Sequence, residues 1–151
     1  MKRIVTTDIG GTHARFAIAK IDSRRVVELG EPVTLKTNEH ASFEIAWAEF
    51  GRRFGSELPG DLAIAVAGPT ADDVFKLTNN PWVIGPAALK ERLGLRRLTV
   101  INDFGAVAHA VAVLDAGAFI HQCGPDIPLP RVGVTTVIGP GTGLGVAALL
   151  S

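Results

Sequence analysis

The chain opens on two short hydrophobic runs separated by a polar, glycine-rich break. Ile4 to Thr7 is β-rich and ends at Asp8-Ile9-Gly10-Gly11-Thr12; Ala14 to Ile21 is apolar apart from Arg15 and Lys20. Two such runs around a Gly-Gly turn predict a hairpin. Val26 to Leu35 supports a third strand. From Ser42 to Phe54 the period changes. Phe43, Ala46, Trp47, Phe50 and Phe54 recur at spacings of three and four, which is one face of a helix, and Gly55 is placed to end it as a left-handed cap.

Leu62 to Ala67 is nearly continuous in apolar residues and closes on Gly68-Pro69, as expected of a strand covered on both faces. Asp73 to Leu77 reads as an adjoining strand. Pro86 stands at a natural first helical position and Gly94 at a natural stop, so a short helix is expected over Pro86 to Leu93. A buried strand, Leu98 to Ile101, is closed by Asn102-Asp103, and an alanine- and valine-rich helix is expected over Ala106 to Leu114. Beyond a Pro/Gly-rich connection from Gly124 to Pro130, the strand Val132 to Ile138 runs into Gly139-Pro140-Gly141-Thr142-Gly143-Leu144-Gly145 and out through Val146 to Leu150. Strand, glycine-rich turn with a threonine, strand: the opening pattern returns, at a distance that fits duplication of a whole domain rather than a solenoid period.

Composition narrows the partners. Fifteen basic and fifteen acidic residues balance in a chain of 151, so no long-range positive field exists to draw in nucleic acid or an acidic membrane. The arginine pairs at 24/25, 52/53 and 96/97 therefore read as solvated faces. Cys123 is the only cysteine, which excludes an intrachain disulfide scaffold. No segment has the length of a membrane span, and Met1 to Val5 passes straight into a strand rather than a signal-peptide core. A reducing, cytoplasmic setting is expected.

The turns carry the candidate chemistry. Gly10 and Gly11 let the backbone approach an anion closely, and Thr12 adds a hydroxyl, so the first turn can cradle a phosphate; it can equally be an ordinary tight turn. Asp8 beside it would repel phosphate directly and makes better sense as a ligand to Mg²⁺ or its waters. Gly139, Gly141, Gly143 and Gly145, with Thr142 among them, offer a second set of backbone donors. No lysine follows either set as in a Walker A loop, and neither opens a helix as a dinucleotide fingerprint does.

Asp103, at the carboxyl end of a strand, can accept the proton of a substrate hydroxyl that attacks phosphorus, or it can simply cap the following helix. Thr78-Asn79-Asn80-Pro81-Trp82 supplies amides and a hydroxyl suited to sugar hydroxyls, and a polar turn closed by Pro81 explains it as well. Asp72-Asp73 reads as a turn. The histidines at 13, 40, 109 and 121 show no metal-ligand spacing, and His109 reads as a core or rim residue.

Taken in order, the blocks Thr7 to Phe16, Ala65 to Pro69, Leu77 to Trp82, Ile101 to Phe104 and Gly139 to Gly145 resemble the bacterial glucokinase family of the actin-like ATPase and sugar kinase superfamily. The resemblance implies a ribonuclease-H-like α/β fold with a mixed sheet, in two lobes that hold MgATP and glucose between them. Residues 1–115 are then the amino-terminal lobe, and 116–151 the connection and first hairpin of a second, truncated lobe.

It also implies that Thr7, Asp8, Ile9, Gly10, Gly11 and Thr12 form the first phosphate motif, and Gly139, Gly141, Thr142 and Gly143 the second. Asp103 matches the base that activates the sugar 6-hydroxyl. Asn102 matches its sugar-binding neighbour, with Thr78 and Asn79 as further substrate contacts. His13 replaces the family's usual asparagine and Pro140 its common alanine, which removes a backbone donor and stiffens the turn. The family's later Glu-x-Gly-His sugar motif and its adenosine-binding motif are not among these 151 residues.

ATP-dependent phosphorylation of glucose or another hexose is the expected activity of the complete protein, with this chain a partial and inactive form. A sugar-responsive transcription regulator has no helix-turn-helix or basic stripe to support it. A noncatalytic binding module of the same fold is the other alternative. The hairpin from Val132 to Leu150 has open edges, so a homodimer or association with a missing second half is expected.

Overall fold

The structure, a computed structural model, describes residues 1–150 except 24, 69–73, 78, 79, 81, 128–131 and 141–143. The chain forms two compact units, Met1–Asp103 and Phe104–Ser151.

In the first unit, β1 (Lys2–Ile9) and β2 (His13–Asp22) form the expected hairpin, with Asp8 opposite Arg15 and Ile9 opposite Ala14. The single strand expected over Val26 to Leu35 is instead two, β3 (Arg25–Leu29) and β4 (Val33–Lys36), which pair with successive parts of β2. Pro32 has no N–H for a ladder, and Gly30 spends its own on Ile18 O at 2.9 Å, so the run breaks between them.

Helix α1 (Phe43–Phe54) comes next. Ser42 caps its start, Ile45 N donating to Ser42 Oγ at 3.4 Å, and Gly55 ends it at φ 73°. The chain returns as β5 (Asp61–Val66), parallel to β1. The strand expected over Asp73 to Leu77 does not join this sheet. Within it, β6 (Phe75–Lys76) pairs with β7 (Val83–Ile84) in a small sheet of their own, and Asp73 lies outside the described residues. After α2 (Pro86–Arg92), β8 (Arg97–Asn102) lies parallel to β5. The order β3-β2-β1-β5-β8, with β4 also on β2, is a mixed six-stranded sheet.

One face of this sheet holds the core. Val5, Ile9, Phe16, Leu62, Ile64 and Val66 are buried together with Phe43, Ala46 and Phe50 of α1. Phe16 stacks on Phe50 at 5.2 Å, and Trp82 meets Phe43 edge-on at 6.0 Å. Each such side chain contributes about 1.5–3 kcal/mol through burial, so the helical face legible in the sequence is what fixes α1 on the sheet. On the opposite face Ala63 and Ala65 are half-buried, so β5 is fully covered on one side only. β8, expected to be buried, is an edge strand with no fully buried residue. The described arginines of the three pairs are exposed, as charge balance implied.

Helix α3 (Asp103–Val111) starts three residues before the expected Ala106, directly out of β8, and His109 on it is exposed, a rim residue. In the second unit β9 (Val134–Pro140) and β10 (Leu144–Leu150) pair antiparallel, with Gly139 opposite Gly145. Gly139 and Pro140 thus belong to a strand. Among the described residues no helix is long and apolar enough to cross a membrane.

Candidate functional site

Parallel pairing brings three strand ends level. Ile9 of β1, Val66 of β5 and Asn102 of β8 are successive partners across the sheet. The segments that leave these strands therefore emerge together at the carboxyl edge, where open α/β sheets place ligands. They are Gly10-Gly11-Thr12, Ala67-Gly68 and Asp103.

The first turn is held by hydrogen bonds on several sides. Gly10 N donates to His13 O at 2.9 Å, closing the hairpin. Thr37 Oγ1 donates to Gly11 O at 3.0 Å, Thr37 N to Thr12 O at 3.0 Å, and Asn80 Nδ2 to Gly10 O at 3.3 Å. The Thr12 hydroxyl lies 3.1 Å from His13 Nδ1. Sequence reasoning missed Thr37. Nothing in spacing connects position 37 to position 11; only the pairing of His13 with Lys36 between β2 and β4 brings them together. Asn80 stood among the sugar-facing candidates, yet its amide is spent on the backbone, since its Oδ1 accepts from Trp82 N at 2.9 Å.

Asp8 is exposed and paired with Arg15 Nη1 at 2.9 Å, directly across the hairpin. Arg15 supplies the countercharge to this carboxylate, and the hairpin register is the signal that locates it. Among the described residues no group of three or more His, Cys, Asp or Glu could hold a metal ion. A solvated carboxylate of this kind suits a Mg²⁺ that keeps most of its waters, not a caged ion. Thr7 and Ile9 point the other way, into the core. Both are buried, and Thr7 Oγ1 has no hydrogen-bond partner among the described residues.

At the second and third strand ends, Asn102 Nδ2 donates to Gly68 O at 2.8 Å, tying β8 to the close of β5. Gly68 sits at φ 154°. Asp103 is half-buried in the first turn of α3, where the helix dipole favours a carboxylate. Thr78, Asn79, Gly141, Thr142 and Gly143 lie outside the described residues. In the second unit Gly139 and Gly145 lie under the ring of Phe104.

Residues 5–151 match the glucokinase family model. The chain is 58% identical over 147 residues to a glucokinase of Zymomonas mobilis, covering 97% of this chain and 45% of that protein. It is 40% identical over 147 residues to a glucokinase of Mesorhizobium japonicum, covering 97% of this chain and 42% of the relative. A crystal structure of glucokinase from an Antarctic psychrotroph superposes with a TM-score of 0.82 at 30% identity, over 99% of this chain and 47% of that one. The chain thus spans less than half the length of these relatives. With the mixed sheet and the ordered turns, the match over nearly all of the chain shows that it belongs to the glucokinase family.

Proposed function

We propose that this chain supplies the first phosphate-binding turn and the catalytic base of an ATP-dependent hexose kinase that converts glucose to glucose 6-phosphate. The observation that carries the reading is the level register of Ile9, Val66 and Asn102, which gathers the Gly10–Thr12 turn, Gly68 and the Asn102-Asp103 pair at one sheet edge in a chain of this family.

The Asp103 carboxylate accepts the proton of the sugar 6-hydroxyl while that oxygen forms its bond to the γ-phosphorus. The bond from that phosphorus to the bridging oxygen breaks, and ADP leaves. Asn102, latched to Gly68, keeps the end of β8 and hence Asp103 in place; Asn102, Thr78 and Asn79 are the proposed sugar contacts. The Gly11 and Thr12 amides bind phosphate oxygens, and Gly139, Gly141, Thr142 and Gly143 form the second phosphate contact. Asp8 would hold Mg²⁺ through water, and the ion would neutralise the phosphates.

The family's later sugar and adenosine motifs have no counterpart in these 151 residues. Turnover is therefore proposed for a protein of full family length, working in the cytoplasm in glycolysis, and not for these residues alone. Residues 1–115 would be its first lobe and 116–151 the entry to its second. The open hairpin would associate with that second half or with another copy.

The test is glucose-dependent ADP formation from MgATP by a protein of full family length, wild type beside Asp103→Asn. The variant should lose on the order of 10²- to 10⁴-fold in kcat, the range for a general base, with an unchanged melting temperature. Undiminished turnover in Asp103→Asn would remove Asp103 from the reaction. Glucose binding without ADP formation in the wild type would point instead to a sensor.

A further inference from the structure

The two carbonyls of the Gly-Gly turn are each gripped by a side chain from the protein body. Thr37 Oγ1 holds Gly11 O at 3.0 Å and Asn80 Nδ2 holds Gly10 O at 3.3 Å. Both holders are buried, Thr37 at 1% and Asn80 at 9% exposure. Among the described residues there are no cis peptide bonds, and in a trans peptide unit the N–H points opposite to the C=O. Fixing Gly10 O therefore fixes the direction of the Gly11 N–H, and fixing Gly11 O fixes that of the Thr12 N–H. Both are aimed away from the buried side that holds the carbonyls. Neither N–H has a hydrogen-bond partner among the described residues, and Thr12 is exposed.

Glycine pairs flip their peptide planes easily, because both signs of φ are open to them. The structure opposes this at both planes. Asn80 is itself locked, since its Oδ1 accepts from the backbone N of Trp82, whose ring is 1% exposed and donates to His40 O at 2.7 Å. Thr37 is tied a second time through its own N–H to Thr12 O.

From this arrangement we infer that Thr37 and Asn80 are positioning residues, which preset the Gly11 and Thr12 amides as a pair of donors to a phosphate oxygen. The inference rests on the reading of the first turn as a phosphate cradle and adds the parts that make it rigid. Preset donors lose less freedom when the anion arrives, so the contribution of these two side chains is to affinity rather than to contact.

The test is a titration of a ¹⁵N-labelled protein of full family length with MgADP, following the amide resonances of Gly11 and Thr12. In the wild type both should shift. Thr37→Val, which keeps the shape and removes the hydroxyl, should bind roughly tenfold more weakly, the size of one lost hydrogen bond to a polar backbone group. Thr37→Ser should restore binding to within about threefold on the same basis. Asn80→Asp provides a second variant, able to accept from Trp82 N but unable to donate to Gly10 O, and should weaken binding similarly. If folded Thr37→Val and Asn80→Asp proteins bind as tightly as wild type with the same shifts, the positioning role is overturned and the cradle stands. If the wild type shows no shift at Gly11 or Thr12, the cradle reading itself is overturned.

Discussion

The ring of Phe104 packs against Gly145: a Cβ placed on that glycine would fall 1.8 Å from the ring's Cε2 and 2.1 Å from its Cζ. Gly139, the cross-strand partner of Gly145, meets the same ring, its Cβ position being 2.5 Å from Cζ. The missing side chains of two paired glycines make the seat for one aromatic ring. Gly145→Ala should therefore destabilise the second unit by about 1–3 kcal/mol, the usual range for overpacking. The cost should shrink in a Phe104→Ala background, where the ring no longer competes for the space. Urea denaturation of the four proteins of this cycle, with amide exchange read on β9 and β10, measures the coupling. Additive losses would show that the ring and the glycine do not meet.

That seat illustrates what the sequence concealed. Alternating glycines from 139 to 145 were legible as an unusual backbone, and phosphate donors were the chemistry on offer. Yet Gly139 and Gly145 also have a packing cause that depends on Phe104, thirty-five and forty-one positions earlier in the chain. The hairpin, α1 with its glycine cap, β5, α2 and β8 were readable because each is a local pattern: a period, a cap or a stop. The split of β3 from β4 turned on Pro32 and Gly30 inside an otherwise apolar stretch. β6 fell within the strand expected over Asp73 to Leu77, but β7 and its pairing with β6 could not be read, since a two-residue strand has no period. Asp8, Asn102 and Asp103 were found as polar residues at strand ends. Arg15, Thr37 and Asn80 gained their roles only from strand register and from hydrogen bonds between distant segments.

Trp82 joins core and turn. Its ring is 1% exposed, meets Phe43 edge-on, and donates from Nε1 to His40 O at 2.7 Å. Trp82→Phe removes both the donor and part of the ring volume, leaving a half-buried carbonyl without its partner. A loss of about 2–3 kcal/mol is expected. Trp47, half-buried on the rim of the same aromatic group at 6.3 Å from Phe43, should tolerate the same replacement at a cost below about 1 kcal/mol. Thermal or urea melts of the two variants side by side provide the check, and equal losses would contradict the assigned difference in burial and bonding.

Acid sensitivity should come from Asp61. Its carboxylate is 3% exposed at the start of β5, where Arg96 Nε donates to Oδ1 at 2.7 Å and Lys2 pairs with Oδ2. The Arg96 hydrogen bond, followed by that of Lys2, holds the Asp61 pKa below the ordinary carboxylate value against the opposing effect of burial. A depressed folded-state pKa means that the unfolded chain binds the proton first. The stabilisation is fully present above the unfolded value of about 3.9 and is lost as pH falls from there through the folded value. Glu44, lowered against burial by hydrogen bonds to its own backbone, Ser42 and Arg92, contributes in the same direction. So does Glu49, held at about 2 by Arg52 and Arg53, although its exposure to solvent weakens the effect. Subtracting an Asp61→Asn series isolates the Asp61 share. Urea midpoints measured from neutral pH down to about pH 3 should fall more steeply for wild type than for Asp61→Asn below about pH 4, while the offset between them stays constant above about pH 5.5. Two curves that run parallel through the acid limb would show that Asp61 titrates alike in the folded and unfolded chains, and that its ion pairs with Lys2 and Arg96 add nothing to the fold.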